Sequence, residues 1–136
     1  MTPRTGLEPM TSRHVAVWID HHEARVFYVA PEAFDESTIR ASNRHVHRHP
    51  NGPDGQKAHP DDAHRFFHEV TKALEGAAEV LVVGPSTAKL QFIRYAQEHA
   101  QAVARAIVGI ETVDHPTDPQ LVAYARQYFR AADRMH

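Results

Sequence analysis

The 136-residue sequence has no cysteine, no long apolar run and only a small excess of acidic over basic residues. The absence of cysteine excludes disulfides and thiolate metal ligands, and it fits a reducing compartment, so we expect a cytoplasmic protein. No stretch approaches the roughly 20 apolar residues of a membrane-spanning helix, and no membrane partner is expected. Residues 1–13 are polar and lack the apolar core of a secretion signal, so they are interpreted as a flexible leader before a single domain over residues 14–132.

The first part of the chain predicts three strands. Residues 14–20 alternate in the direction of their side chains, and residues 24–30 are rich in valine and aromatic residues. The short polar stretch between them predicts a hairpin. A third strand is expected between Ser37 and His47, and its polar residues on both faces favour either a sheet edge or partial disorder. Residues 48–59 contain two prolines and two glycines, which predict a mobile loop.

Helices and strands alternate in the second part of the chain. A helix is predicted to begin at Pro60, because proline is tolerated in a first turn, and to end near Gly76. Residues 80–83 form a short, wholly apolar run that is typical of a strand covered on both faces. The helix that follows is predicted to have Ser86 as its cap.

Residues 107–113 predict another buried strand, which leads to a last helix that is capped by Asp118 and begins at Pro119. The order is therefore β-β-β-α-β-α-β-α, and strands that alternate with helices favour parallel pairing and a sheet covered on both faces. A hairpin meander that leads into such units is the ribonuclease H-like arrangement. The sequence thus predicts an α/β fold of the ribonuclease H-like three-layer type, with a mixed sheet and helices on both faces.

Three stretches carry a resemblance to known proteins: residues 14–27 (HVAVWIDHHEARVF), 80–92 (VLVVGPSTAKLQF) and 107–118 (IVGIETVDHPTD). The set resembles small bacterial "translational machinery" proteins, grouped with bacterial relatives of the archaeal and eukaryotic peptide-chain release factors and of the ribosome-rescue protein Pelota. In the middle domain of the large factors, a buried strand runs into Gly-Pro, a small residue, then Thr and Lys at a helix start. The resemblance implies a ribonuclease H-like fold and a role at the ribosome, with the ribosome or RNA as partner. The positions that match this pattern are Gly84, Pro85, Thr87 and Lys89.

The resemblance also raises the question of catalysis. Release factors that hydrolyse peptidyl-tRNA carry Gly-Gly-Gln in a loop before the first helix, and this chain has Asp54-Gly55-Gln56 at a comparable place. Gln56 is therefore a candidate for hydrolysis, although aspartate adopts the positive φ of glycine less readily. Asp20 is a second candidate, because an acidic residue at the end of the first strand binds magnesium in ribonuclease H-like nucleases. Asp20 could equally cap the hairpin, and since each catalytic set lacks a member, the sequence favours a non-enzymatic protein.

Positive charge concentrates between Ser37 and Lys57, where four basic residues stand against one acidic residue. In a protein that is otherwise acidic, such a segment favours a local anionic partner such as the phosphates of RNA. The three histidines of the segment alternate at period two and would share one face of a strand. They could instead bind a divalent metal, or keep a solvated edge strand from aggregating. The segment's candidates for nucleic-acid binding are Arg40, Arg44, His45, His47, Arg48, His49 and Lys57.

Lys89 is a further candidate for phosphate binding. It follows Gly84 and Pro85 at the expected start of a helix, where free backbone N–H groups attract anions. The Gly-Lys-Thr/Ser ending of a Walker loop is absent. Ordinary capping of a tight connection between a strand and a helix is the alternative.

The remaining candidates for metal binding are His64 and His68, which are four residues apart and would face the same way on a helix. Zinc peptidases use this spacing with a glutamate directly after the first histidine, but Arg65 stands there. A solvated helix face is the alternative interpretation. We therefore expect no resident cofactor, and only weak or adventitious zinc at these histidines or at His45, His47 and His49.

Asp114 and His115 follow the last predicted strand, where ligands gather in open α/β sheets. Together they could form an acid–base pair. No nucleophile or third partner is evident in the sequence, so capping and turn formation also account for them.

Overall fold

The computed structural model describes residues 14–41 and 60–134. The predicted order of elements is confirmed, except that two helices meeting at Ala100 replace the single helix expected before the last strand. The expectations for residues 1–13 and 48–59 lie outside the described residues. In chain order the elements are β1 (His14–Ile19), β2 (Glu23–Val29), β3 (Phe34–Arg40), α1 (Pro60–Leu74), β4 (Glu79–Gly84), α2 (Ala88–His99), α3 (Gln101–Ala106), β5 (Ile107–Thr112) and α4 (Asp118–Arg134).

The strands form one mixed sheet in the order β3-β2-β1-β4-β5. The first three strands are an antiparallel meander, whereas β4 lies parallel to β1 and β5 lies parallel to β4. A meander that leads into parallel strands with helical crossovers is the ribonuclease H-like arrangement, so the predicted fold class is confirmed. β1, β4 and β5 all end at one end of the sheet, which we call its carboxyl end.

The central strand β1 is buried on both faces, because successive side chains of a strand point in opposite directions. Val15, Val17 and Ile19 pack with α1 and α2 on one face. Ala16 and Trp18 pack with α4 on the other face. Burial of each large apolar side chain stabilises the fold by roughly 1.5–3 kcal/mol. None of the helices in the two described ranges is both long enough and apolar enough to cross a membrane.

The two edges of the described sheet differ in composition. β3 is the polar edge that its sequence predicts, although it begins at Phe34, before the expected Ser37. The strand predicted at residues 107–113 is present as β5, but the prediction that it is buried was wrong, because among the described strands it pairs with β4 alone and forms the opposite edge of the sheet. Val108 and Ile110 are consequently 38% and 43% exposed.

Tyr128 of α4 lies against the β5 edge. Its hydroxyl donates to the carbonyl oxygen of Val108 at 3.1 Å, where the pairing with β4 is irregular. A Cβ on Gly109 would lie 2.0 Å from the Tyr128 hydroxyl oxygen. Glycine at position 109 therefore makes room for this contact.

The start of α4 corrects a second prediction. Asp118 does not cap the helix; instead, Thr117 and Gln120 cap it reciprocally. The Thr117 N–H donates to Gln120 Oε1 at 2.9 Å, and the Gln120 N–H donates to Thr117 Oγ1 at 3.3 Å. This is a capping box, with glutamine in the position that glutamate often takes. The carboxylate of Asp118 is thereby left to contact the sheet.

Candidate functional site

Asp20 lies in the turn between β1 and β2 at the carboxyl end of the sheet. Its Oδ1 accepts the backbone N–H groups of His22 at 2.7 Å and of Glu23 at 2.9 Å. The carboxylate therefore caps the hairpin, as one of the two interpretations of the sequence expected. Gln56, the other catalytic candidate, lies outside the described residues.

Arg40 is the one nucleic-acid candidate of the basic segment that the described residues include. It ends β3 opposite Glu23, and its side chain is 76% exposed. Its Nη1 lies 3.4 Å from Glu23 Oε1, but an exposed ion pair of this kind contributes at most about 1 kcal/mol. The arginine can therefore exchange this contact for a phosphate. The candidates outside the described residues are Arg44, His45, His47, Arg48, His49 and Lys57.

Lys89 lies in the first turn of α2 at the same end of the sheet. The residue is only 7% exposed, and its Nζ donates to the carbonyl oxygen of Ser86 at 2.8 Å. Ser86 Oγ in turn accepts the Ala88 N–H at 3.3 Å. The ammonium group, which the sequence predicts as a phosphate ligand, thus already donates to the backbone of the loop between β4 and α2.

Gly84 in the same connection has a packing reason of its own. A Cβ on Gly84 would lie 2.2 Å from the carbonyl oxygen of Ile19 in β1. The glycine is needed because β4 passes so close to β1 at this point. The glycine of the matched pattern therefore follows from how the two strands approach each other.

A groove of about 370 Å³ opens at the carboxyl end of the sheet between the end of β5 and the start of α4. One wall is fixed to the core, because Trp18 Nε1 donates to the carbonyl oxygen of Asp114 at 2.7 Å. The expected pairing of Asp114 with His115 is present, with 2.9 Å between Oδ1 and Nδ1. Both side chains are largely exposed, at 93% and 59%. Water screens such a pair, so it serves the turn more than it serves proton transfer. The groove is lined by Val113, Asp114, His115, Pro116, Gln120, Leu121 and Tyr124.

An ionic network that was not predicted from the sequence joins β2 to the start of α4. Arg25 on β2 lies with its guanidinium 4.9 Å from the centre of the Trp18 ring. It donates to Asp118 at 2.9 Å and to Glu23 at 3.3 Å. Burial alone would lower the pKa of Arg25, but the hydrogen bonds to Asp118 and Glu23 outweigh it and raise the pKa. The only signal in the sequence was a single arginine within an otherwise apolar strand.

Glu36 on the neighbouring strand β3 belongs to the same network. Burial and the nearby carboxylate of Asp118 raise the pKa of Glu36, and contacts with Thr38 and Arg25 offset only part of this effect. The network therefore holds three carboxylates, those of Glu23, Glu36 and Asp118, against the guanidinium groups of Arg25 and the exposed Arg40. It fastens the start of α4 to the meander through the contact of Asp118 with Arg25.

His64, one of the two metal candidates on α1, packs against α2. The His64 ring on α1 contacts Tyr95 and His99 of α2, with ring centroids 5.4 Å and 5.9 Å away. Among residues 14–41 and 60–134, no group of three or more acidic or histidine side chains is arranged to hold a metal ion. His64 thus takes part in the contact between α1 and α2.

Comparison with known proteins gives structural but not sequence relatives. No protein-family model and no curated protein matches the chain. The fold is similar to that of Pelota from Thermoplasma acidophilum, with a TM-score of 0.56 and 20% identity over 82% of this chain and 31% of that one. Pelota from Archaeoglobus fulgidus matches with a TM-score of 0.56 and 18% identity, over 96% of this chain and 38% of that one. The archaeal translation termination factor aRF1 matches with a TM-score of 0.54 and 15% identity, over 98% of this chain and 42% of that one.

The chain spans less than half the length of these solved structures. At such low identity the likeness extends to the fold and not to individual site residues. What the comparison establishes is that this chain has the fold of one part of Pelota and of an archaeal release factor.

Proposed function

We propose that the chain is a cytoplasmic, translation-factor-like protein that associates with the ribosome or its RNA and has no catalytic activity of its own. The observation that supports this most strongly is the likeness of its fold to Pelota and to an archaeal translation termination factor. A fold alone hosts many functions. The contact surface is therefore argued from the charge of this chain.

The proposed contact begins at Arg40, an exposed cation at the carboxyl end of the sheet. The sequence continues from there into Arg44, Arg48 and Lys57, with Asp54 as the only acid up to Lys57. A run of cations on a chain of net charge −2 attracts a local polyanion rather than any anionic surface. RNA phosphates fit this pattern, and their binding releases counterions and is weakened by salt.

The position of Asp20 at the end of β1 supports a role without catalysis. Asp20 Oδ1 accepts two backbone N–H groups, so a magnesium ion that bound through this oxygen would compete with the hairpin. We expect that the protein releases no peptide from peptidyl-tRNA on ribosomes and cleaves no RNA. If the protein releases peptide and the Gln56→Ala variant does not, the proposal is wrong and the protein is a hydrolase.

The direct test is sedimentation of the protein with purified ribosomes at two salt concentrations. We expect co-sedimentation at about 50 mM salt that is largely lost by about 200 mM, as for binding through several phosphates. Protein that stays in the supernatant at both concentrations would contradict the proposal.

A matched pair of variants locates the contact. Replacing Arg44, Arg48 and Lys57 together by alanine should weaken binding. The slope of log affinity against log salt concentration should become shallower by about two to three, since each phosphate contact contributes roughly 0.7–0.9. The control replaces three other exposed cations, Lys72, Arg94 and Arg105, and removes the same charge. Equal weakening by both variants would show a nonspecific charge effect and would reject the surface.

A further inference from the structure

We infer that a notch at the amino end of the central strand binds a phosphate group, carried either by RNA or by a free nucleotide. The notch has a volume of about 230 Å³, which equals seven to eight water molecules at roughly 30 Å³ each. It lies between the start of β1, the turn after β2 and the C-terminal half of α4. Its lining residues are His14, Val29, Ala30, Pro31, Arg126, Phe129 and Arg130.

Two arginines of α4 supply the charge of the notch. Arg126 is held in place by its own chain, because Nε and Nη2 donate to the carbonyl oxygen of Ala30 at 3.1 and 3.0 Å. Nη2 also donates to Ala33 at 3.0 Å. Within the described residues these bonds use Nε and Nη2 only, so the N–H groups of Nη1 remain for a ligand. The guanidinium is therefore oriented before any ligand arrives, which lowers the entropic cost of binding.

Arg130 lies one helical turn after Arg126 on the same face of α4. It is exposed and has no ion-pair partner in residues 14–41 and 60–134. The planar fork of a guanidinium matches the geometry of phosphate oxygens. One preoriented and one exposed arginine on the same helix face form a site that a phosphate would complete.

The other walls of the notch give it selectivity. Among the described residues that line it, none is acidic, and the neighbouring Glu79 lies 3.4 Å from His14 Nε2 rather than at the arginines. The ring of His14 stacks on Phe129 with 4.5 Å between centroids and 28° between planes. Val29 and Pro31 add apolar surface. A phosphate with its attached sugar fits these walls better than a bare inorganic anion, because the sugar can cover the apolar part.

The inference goes beyond the proposed function, because the notch lies at the opposite end of the sheet from Arg40. Val29, which lines the notch, pairs with His14 at the start of β1, whereas Arg40 pairs with Glu23 at the other end of β2. Seven residues of strand span roughly 20 Å. The two surfaces can therefore be tested separately, and either can fail without the other.

The experiment is a titration of the ¹⁵N-labelled full chain, followed by NMR, with three probes: a short single-stranded RNA, adenosine monophosphate and inorganic phosphate. We expect shifts at the side-chain resonances of Arg126 and Arg130 and at the amides of Ala30 and Phe129. In fluorescence anisotropy, Arg130→Ala should weaken RNA binding roughly five- to tenfold and reduce the salt slope by about one. The matched control is Arg94→Ala, an exposed arginine on α2 with no ion pair in the described residues.

Each outcome decides the inference. Loss with Arg130→Ala but not with Arg94→Ala, at unchanged thermal stability, supports an RNA contact. Saturable shifts at the notch with adenosine monophosphate but not with RNA assign it to a free nucleotide. Equal effects of both variants, or no shift at Arg126 and Arg130 with any probe, would overturn the inference. If the protein still binds RNA when the notch shows no response, the binding is assigned to the surface that begins at Arg40.

Discussion

Trp18 and Asp114 are 96 positions apart in the sequence and are joined by a hydrogen bond of 2.7 Å from the indole Nε1 to the backbone carbonyl oxygen. The bond ties the buried central strand to the segment that leaves the edge strand β5. Because the indole ring also contacts Arg25 and His115, this single side chain joins one wall of the groove to the ionic network around Arg25. The shape of the groove therefore depends on a residue of the core.

Replacing Trp18 by phenylalanine should lower the free energy of unfolding by about 2 kcal/mol. The change leaves the carbonyl oxygen of Asp114 without its donor and removes part of a fully buried ring. Urea unfolding measures the loss, and an unchanged dependence on urea concentration indicates that the variant keeps its compactness. A variant as stable as the parent protein would mean that water replaces the bond without cost.

Replacing Gly84 by alanine should destabilise the protein by about 1–3 kcal/mol. The new Cβ would meet the backbone of Ile19 at 2.2 Å, and a backbone atom in the middle of a sheet cannot move aside. The matched comparison is Gly109→Ala, where the closest atom belongs to the side chain of Tyr128. Gly109→Ala should cost less, because that side chain can rotate. Thermal unfolding of both variants tests the order, and the reverse order would contradict the packing argument.

Replacing Glu36 by glutamine should stabilise the protein at neutral pH. The raised pKa means that the folded state binds the proton of Glu36 more tightly than the unfolded state does. Stability from this group is therefore greatest at low pH and is lost as the pH rises through the raised pKa. The advantage of the glutamine variant should shrink as the pH falls towards the ordinary value of glutamate. Melting temperatures from acidic to neutral pH test this, with Asp35→Asn on the same strand as the control for lost negative charge. An advantage that does not vary with pH would contradict the cause.

Replacing Lys89 by methionine separates its two interpretations. If its role is the bond to Ser86, the variant should lose about 2 kcal/mol of stability, within the range for hydrogen bonds to charged groups. Its RNA affinity should keep the same salt slope. A slope lower by about one, with stability intact, would instead assign Lys89 a phosphate contact.

The fold class could be predicted because the local patterns agreed with one another. The alternation through Val15, Val17 and Ile19 and the apolar run at residues 80–83 both indicate strands, and the first helix begins at Pro60 as expected. The exposure of β5 could not be predicted from its own residues. An apolar run looks the same at the centre and at the edge of a sheet, and only the order of the strands decides which it is.

The site could be predicted less well than the fold. The pairing of Asp114 with His115 follows from adjacency, and the turn at Asp20 follows from local turn chemistry. The contact of Arg25 with Asp118 joins residues 93 positions apart, and no local pattern indicates it. The notch between His14 and Arg130 likewise forms only when α4 packs against the start of β1. The basic segment from Arg44 to Lys57 stays a prediction.

The contact between Tyr128 and Val108 also affects how molecules of this protein meet one another. The unpaired backbone groups of an edge strand can pair with a strand of a second molecule, and exposed apolar residues such as Ile110 favour this pairing. Here the ladder is irregular at Val108, and the carbonyl oxygen at that point already accepts a hydroxyl group from its own helix. An incoming strand would find no continuous row of acceptors along β5. The edge that is least protected by charge is thus protected against self-association by its irregular backbone.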